Sequence, residues 1–377
     1  TNPSKHAGRL ADPTRFERAT FAFGGRRSIQ LSYMDRMPGP KPVRTGGMVA
    51  DSQHPSGDRR RPAPRTDAPS QPDSIPPVPL PIPHAPAPNA GQPPTSLTPI
   101  VVVTFLLSIG TGILWNGLSF VAERAYHYDR FDSYTLSVVQ GLFYVTGALL
   151  AGRIIRAAER FIAPRTVLAI VLLIQGLIAP IILVSATSTS LWIVACAVSA
   201  TSALQWPIIE SYVTAGRPGR AMRAAIGWWN VVWMSATMIA LALTGLIIGR
   251  DMPNVAIAAL APVNLAAAGL LVFFRASPGE HIHDEEQPVP AAYRSHLAAA
   301  RILLPMSYVV VAALAPLMPF LTGPFGFRDE TKTLVAATWL AGRLCAAAVM
   351  WRTHRWHGVW ATLGAAGVLI AGGFAMA

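Results

Sequence analysis

Two long apolar runs lie back to back between residues 199 and 250, separated by a short basic turn. Each run is long enough to cross the hydrocarbon layer of a bilayer, which takes about 20 residues of helix. The turn and the start of the second run carry Arg217, Arg220 and Arg223 and no acid. Lysine and arginine resist translocation, so the turn is expected to stay in the cytoplasm. The segment therefore predicts a helical hairpin inside a membrane.

Apolar runs of this length recur from residue 98 onward, and 52% of all residues are hydrophobic. So many membrane-length runs predict an all-α fold, a polytopic bundle of membrane helices. The predicted spans are 98–122, 134–155, 166–186, 191–214, 224–248, 254–274, 300–321 and 333–351, with a ninth from residue 358.

The charges of the loops predict the orientation of this bundle. Loops after even-numbered spans hold twelve lysines and arginines, whereas loops on the other side hold five. The excess places the N-terminus in the cytoplasm. We expect an integral, multi-pass protein of a bacterial inner membrane or a plasma membrane.

Residues 1–96 differ from the rest of the chain. They hold thirteen of the 31 lysines and arginines, and fourteen prolines lie between residues 62 and 99. This composition predicts a disordered cytoplasmic tail, or alternatively a polyproline II ligand for a proline-binding module. The tail lacks a signal-peptide pattern, and Met48 is a plausible natural start. Because the basic charge lies in this tail and in short loops, the net charge of +12 does not indicate nucleic-acid binding.

The spans fall into two sets with similar layouts. Residues 97–274 hold six spans, residues 275–298 form a hydrophilic linker, and residues 299–377 hold the remaining three. Such a layout is typical of transporters built from two halves related by an axis along the membrane normal. We therefore expect a complete first half and an incomplete second half.

Several short motifs lie within these spans and loops. Span four and the residues after it contain PIIESY, RPGR and GWWN in that order, and span seven reads MSYVVVAALAPLMPF. The loop after span two carries glycines and arginines at Gly147, Gly152, Arg153, Arg156 and Arg160.

With these features, residues 98–377 resemble the major facilitator superfamily of secondary transporters. The resemblance implies that a small solute is moved by alternating access, with a proton as a coupling ion and without a cofactor.

The chain departs from the family's pattern at two places. Ala151 occupies the place of the family's acid after span two, and the chain ends near span nine where the family has twelve. A fragment or a truncated, inactive protein is therefore expected, and a non-transporting scaffold or sensor is the alternative function.

Arg343 is a charge near the middle of span eight. A charge at this depth costs at least about 2.5 kcal/mol, so it must face a water-filled cavity or a partner. Two interpretations stay open. Arg343 could bind an anionic substrate or balance a coupling acid, or it could form an internal structural pair.

Glu210 is the other charge inside a predicted span and lies one turn from the cytoplasmic boundary. It could exchange a coupling proton if it were desolvated. The preferred interpretation is a gating ion pair with Arg153, Arg220 or Arg223.

Further substrate-cavity candidates are polar or aromatic residues on helix faces that should meet other helices. As alternatives, they could bond neighbouring helices or anchor the membrane interface. These candidates are Asn230, Thr237, Trp115, Thr111 and Trp206.

Several other functions are disfavoured. Cys196 and Cys345 both lie in apolar runs, which predicts buried thiols rather than a disulfide or a metal site. The spans lack GxSxG, HExxH and paired intramembrane acids, so we do not expect an enzyme. The linker cluster from Glu280 to Glu286, including His281 and His283, is interpreted as a solvated charge run, and no metal is expected.

Overall fold

The structure is a computed structural model that describes residues 93–279, 291–353 and 360–376. The predicted tail up to residue 92 and the linker cluster of histidines and acids lie outside these residues. The helices are α1 (Leu97–Tyr126), α2 (Arg130–Ala158), α3 (Pro164–Val184), α4 (Ser188–Thr214), α5 (Gly219–Ile248), α6 (Pro253–Phe273), α7 (Ser295–Phe325), α8 (Asp329–Arg352) and α9 (Trp360–Met376).

The helices confirm the predicted all-α membrane fold. Helices α1 to α8 are each long and apolar enough to cross a membrane, and the described residues contain no strand. Most of these helices run a few residues past the predicted spans, because capping groups lie beyond the apolar stretch. Asp129 and Asp132 form a reciprocal capping box at the start of α2, and the Thr187 side chain caps α4.

The bundle has two ends, which we name by one residue each. The Arg217 end is where α1 begins and α4 gives way to α5, and the Arg124 end is where α1 finishes. Two clusters of buried apolar side chains lie between these ends. The cluster nearer the Arg124 end includes Ala336, Ala337 and Leu340 of α8. The cluster nearer the Arg217 end draws its described members from α1 and α3 to α6 and from adjoining residues, with none from α8.

Small residues let the helices approach one another closely. Gly147 of α2 lies against the backbone of Ala200 in α4, and Gly245 of α5 lies against Thr333 of α8. Lipid is as apolar as a leucine side chain, so helices in a membrane associate through close packing rather than through the hydrophobic effect. These glycines therefore fix which helices are neighbours.

Candidate functional site

Aromatic rings from different helices meet at mid-depth in the bundle. Trp115 lies in a short π-helical stretch of α1, and its ring packs edge-on against Tyr144 of α2, with 5.4 Å between centroids. A π-helical turn displaces its side chains from the regular helical register, and such turns are frequent at functional sites. Tyr144 lies at the midpoint of α2 and is close enough to Glu210 and Tyr308 to interact with both electrostatically.

The Arg343 side chain of α8 lies against two of these rings. Its guanidinium carbon is 4.7 Å from the centroid of Trp233 in α5 and 5.5 Å from that of Tyr308 in α7. Its Nη2 donates a hydrogen bond of 3.2 Å to the Tyr308 hydroxyl. Arginine over an aromatic face is a favourable cation–π arrangement, and these contacts offset part of the cost of placing the charge in the membrane.

Hydrogen bonds and ring contacts extend this arrangement along α5 and α4. Trp233 Nε1 donates to Asn230 Oδ1 at 3.0 Å, and the Asn230 amide donates to the Ile226 carbonyl. Trp229 packs near Trp233 on one side and near Trp206 of α4 on the other.

We name this group the midplane cluster, and most of its members lie near the middle of their helices. Helices α1, α2, α4 and α5 supply members from the first six spans, and α7 and α8 supply the others. It includes four of the six predicted cavity residues. Its members are Trp115, Tyr144, Trp206, Glu210, Trp229, Asn230, Trp233, Tyr308 and Arg343.

The other two predicted cavity residues have different surroundings. Thr237 is buried where α5 crosses Gly112 of α1, and its hydroxyl donates to the Met234 carbonyl. Thr111 donates to Leu107 and lines a small cavity inside the first six helices together with Gln175. Both hydroxyls are thus satisfied by their own helices.

The predicted gating pairs of Glu210 are absent from the ion pairs among the described residues. Within the described residues, no ion pair joins Glu210 to Arg153, Arg220 or Arg223, and the side chains of Arg153 and Arg220 are exposed. The four predicted gating residues belong to α2, α4 and α5. An ion pair between two of these residues would stabilise the first six helices but would not connect them to α7 or α8.

Among the described residues, the ion pairs that connect the first six helices to α8 lie at the Arg124 end. Arg124 contacts Asp329 of α8 at 3.7 Å and also Asp251, which follows α5, at 3.0 Å. Lys332 of α8 contacts Glu123 of α1 at 3.4 Å and Asp329 at 3.3 Å. The Lys332 side chain is only 15% exposed, so its pairs are screened less than ordinary surface pairs.

A buried arginine organises the opposite end. The Arg217 side chain donates to the carbonyls of Tyr212, Val213 and Ala215 at the end of α4, and also to the Thr95 carbonyl before α1. Burial lowers the pKa of this guanidinium, although arginine stays charged in proteins. A cation here satisfies the unpaired carbonyls at a helix C-terminus and interacts favourably with the helix dipole.

The sequence did not predict a role for Tyr144 or Tyr308. It also did not predict that Arg217 is buried, or that ion pairs form at the Arg124 end. Some signals were present. Tyr308 lies in the span-seven motif, and Arg217 lies in the basic turn that fixed the topology. Tyr144 had no local signal, because one tyrosine in an apolar span is common at interfaces.

A bundle of membrane-length helices with a charged, aromatic cluster between its helices at mid-depth has the architecture of a polytopic membrane transport protein. Residues 100–377 match the family model of the Major Facilitator Superfamily, so the chain belongs to this superfamily. Its members are membrane transporters, and the chain is an integral multi-pass protein of that class. Comparison with curated proteins and with solved structures gave no match.

Proposed function

We propose that the chain moves a small solute across the membrane by alternating access between two halves, residues 97–274 and residues 299–377. One observation carries the proposal: both halves supply side chains to the midplane cluster. A solute held there would contact both halves, so their relative rocking would expose it to each side in turn. We place the Arg217 end in the cytoplasm, because the basic loops lie there.

The ion pairs at the Arg124 end support a conformation closed toward the outside. The same end holds the buried apolar cluster that includes α8, whereas the cluster at the Arg217 end lacks α8 among its described members. Transport then requires that the pairs of Arg124 with Asp329 and of Lys332 with Glu123 separate during each cycle.

Accessibility of a midplane thiol tests alternating access without knowledge of the solute. Tyr144→Cys is introduced after Cys196 and Cys345 are replaced by serine, and a membrane-impermeant thiol reagent is applied to vesicles of either orientation. We expect labelling from both sides. In the triple variant with Glu123→Cys and Lys332→Cys, a short bifunctional thiol crosslinker should block labelling from the Arg124 end only.

A charge reversal provides a control for this test. Lys332→Glu should increase labelling from the Arg124 end, because it places like charges together, and Glu123→Lys added to it should restore the original rate. Labelling of Tyr144→Cys from one side only, whatever the charge at residue 332, would contradict alternating access and support the non-transporting scaffold.

We also propose that Glu210 carries the coupling proton. It lies within electrostatic range of Tyr144 and has no ion pair among the described residues. Protonation of this carboxylate is then expected to shift the balance between the two conformations.

The ratio of labelling rates from the two sides should vary with pH in the parent Tyr144→Cys protein and become independent of pH in Glu210→Gln. Using a ratio cancels the ionisation of the cysteine itself. Glu159→Gln, an exposed acid at the end of α2, should keep the dependence, and a dependence that survives in Glu210→Gln would exclude this role.

A further inference from the structure

We propose that the solute is an organic monocarboxylate with an aromatic or apolar body, held by its carboxylate on Arg343. This inference rests on the proposed transport function and names the class of substrate for the same site. Its basis is the particular surroundings of the Arg343 guanidinium.

The Arg343 guanidinium has N–H donors left over for a ligand. In the described part of the chain, no carboxylate lies within 4.0 Å of its guanidinium, and its one side-chain hydrogen bond goes to the Tyr308 hydroxyl. A guanidinium has five N–H donors arranged in a planar fork. The fork matches the two oxygens of a carboxylate, which accepts two parallel hydrogen bonds.

Two aromatic rings hold the Arg343 guanidinium in place. Trp233 lies 4.7 Å and Tyr308 5.5 Å from its central carbon, and Trp233 is itself fixed by its hydrogen bond to Asn230. A cation that is already oriented loses little conformational entropy when an anion binds. These contacts therefore favour Arg343 as a ligand-binding group over a freely moving surface charge.

The surroundings of Arg343 also limit the charge and the body of the solute. Arg343 is the one cation among the members of the midplane cluster, so it balances a single negative charge on the solute and leaves a second one unpaired. A dianionic phosphate ester is thus a poorer fit than a monocarboxylate. Trp115 and Tyr144 stack edge-on nearby and offer ring surfaces to an aromatic or apolar body.

Four probes that share one aromatic body isolate the headgroup: phenylacetate, 2-phenylethanol, 2-phenylethylamine and phenyl phosphate. Each is titrated against the purified full chain in detergent, and binding is read from quenching of tryptophan fluorescence. We expect phenylacetate to bind at least tenfold more tightly than each of the other three. No phenylacetate binding up to about 10 mM, which corresponds to less than about 3 kcal/mol of affinity, would overturn the proposal.

Variants of Arg343 tie this binding to the site. Arg343→Gln should weaken phenylacetate binding at least tenfold. Arg343→Lys keeps the charge but lacks the planar fork of donors, so its affinity for phenylacetate should lie between those of the parent and Arg343→Gln. The matched control is Arg352→Gln, an exposed arginine at the end of the same helix, which should bind like the parent. All three should elute as monodisperse protein on size exclusion. Equal binding by the parent and Arg343→Gln would overturn the assignment.

The two proposals can fail separately. If phenylacetate binds through Arg343 but Tyr144→Cys is labelled from one side only, the substrate class holds and transport does not. If labelling alternates but phenylacetate does not bind, transport holds and the substrate class is wrong.

Discussion

Replacing Arg217 by methionine is expected to lower the free energy of unfolding by about 3 kcal/mol. The methionine side chain fills similar space but donates no hydrogen bonds, so the carbonyls at the end of α4 and the Thr95 carbonyl lose their donor. A hydrogen bond to a charged group contributes about 1.5–3 kcal/mol, and a buried group left unsatisfied costs about 1–3 kcal/mol. Unfolding is measured in mixed micelles by raising the fraction of a denaturing detergent.

Arg220→Met is the matched control for this prediction. Arg220 lies three residues further on, in the first turn of α5, and carries the same charge, but its side chain is exposed. Its loss should change the free energy of unfolding by less than about 0.5 kcal/mol, as is usual for surface substitutions. If the two variants lost equal stability, the buried cation would not be what holds the start of α1 to the end of α4.

Replacing Gly147 by alanine is expected to destabilise the protein by about 1–3 kcal/mol, the usual range for overpacking. An added methyl group would meet the Ala200 carbonyl oxygen and the Ala203 side chain. Helix α4 cannot yield by rotating a side chain, because the nearest obstacle is backbone. Helices α2 and α4 must therefore move apart. The same unfolding assay in mixed micelles measures the loss.

Gly141→Ala in the same helix should have the opposite sign. A methyl group at residue 141 would meet no atom within 4 Å. Alanine has a higher helix propensity than glycine by about 1 kcal/mol, so this variant should be neutral or slightly more stable. A loss at both positions would point to backbone flexibility rather than close packing as the role of Gly147.

Gly147 also belongs to the glycine- and arginine-containing stretch around the loop after span two. By resemblance, Gly147 marks the start of a motif whose acid is replaced by Ala151. In the structure both residues are buried, and Gly147 faces α4 rather than the loop. The glycine thus has a packing role within the first six helices that does not depend on the missing acid.

The sequence by itself determined where the eight membrane-length helices of the described residues lie, because the thickness of the hydrocarbon layer requires about 20 apolar residues for each crossing. It also identified Arg343 as a residue that needs a partner, since a charge in a span is costly wherever the other helices lie. Both conclusions depend on properties that each segment has alone.

Only the tertiary structure decided which side chains meet. It brought Trp233 and Tyr308 to Arg343, connected Arg124 to Asp329, and buried Arg217 among backbone carbonyls. The physical reason is that lipid tails and neighbouring helices are both apolar, so hydrophobicity marks a span without telling which face meets lipid and which meets protein. Lateral packing is set by close approach at positions such as Gly147, and its partners come from distant parts of the chain.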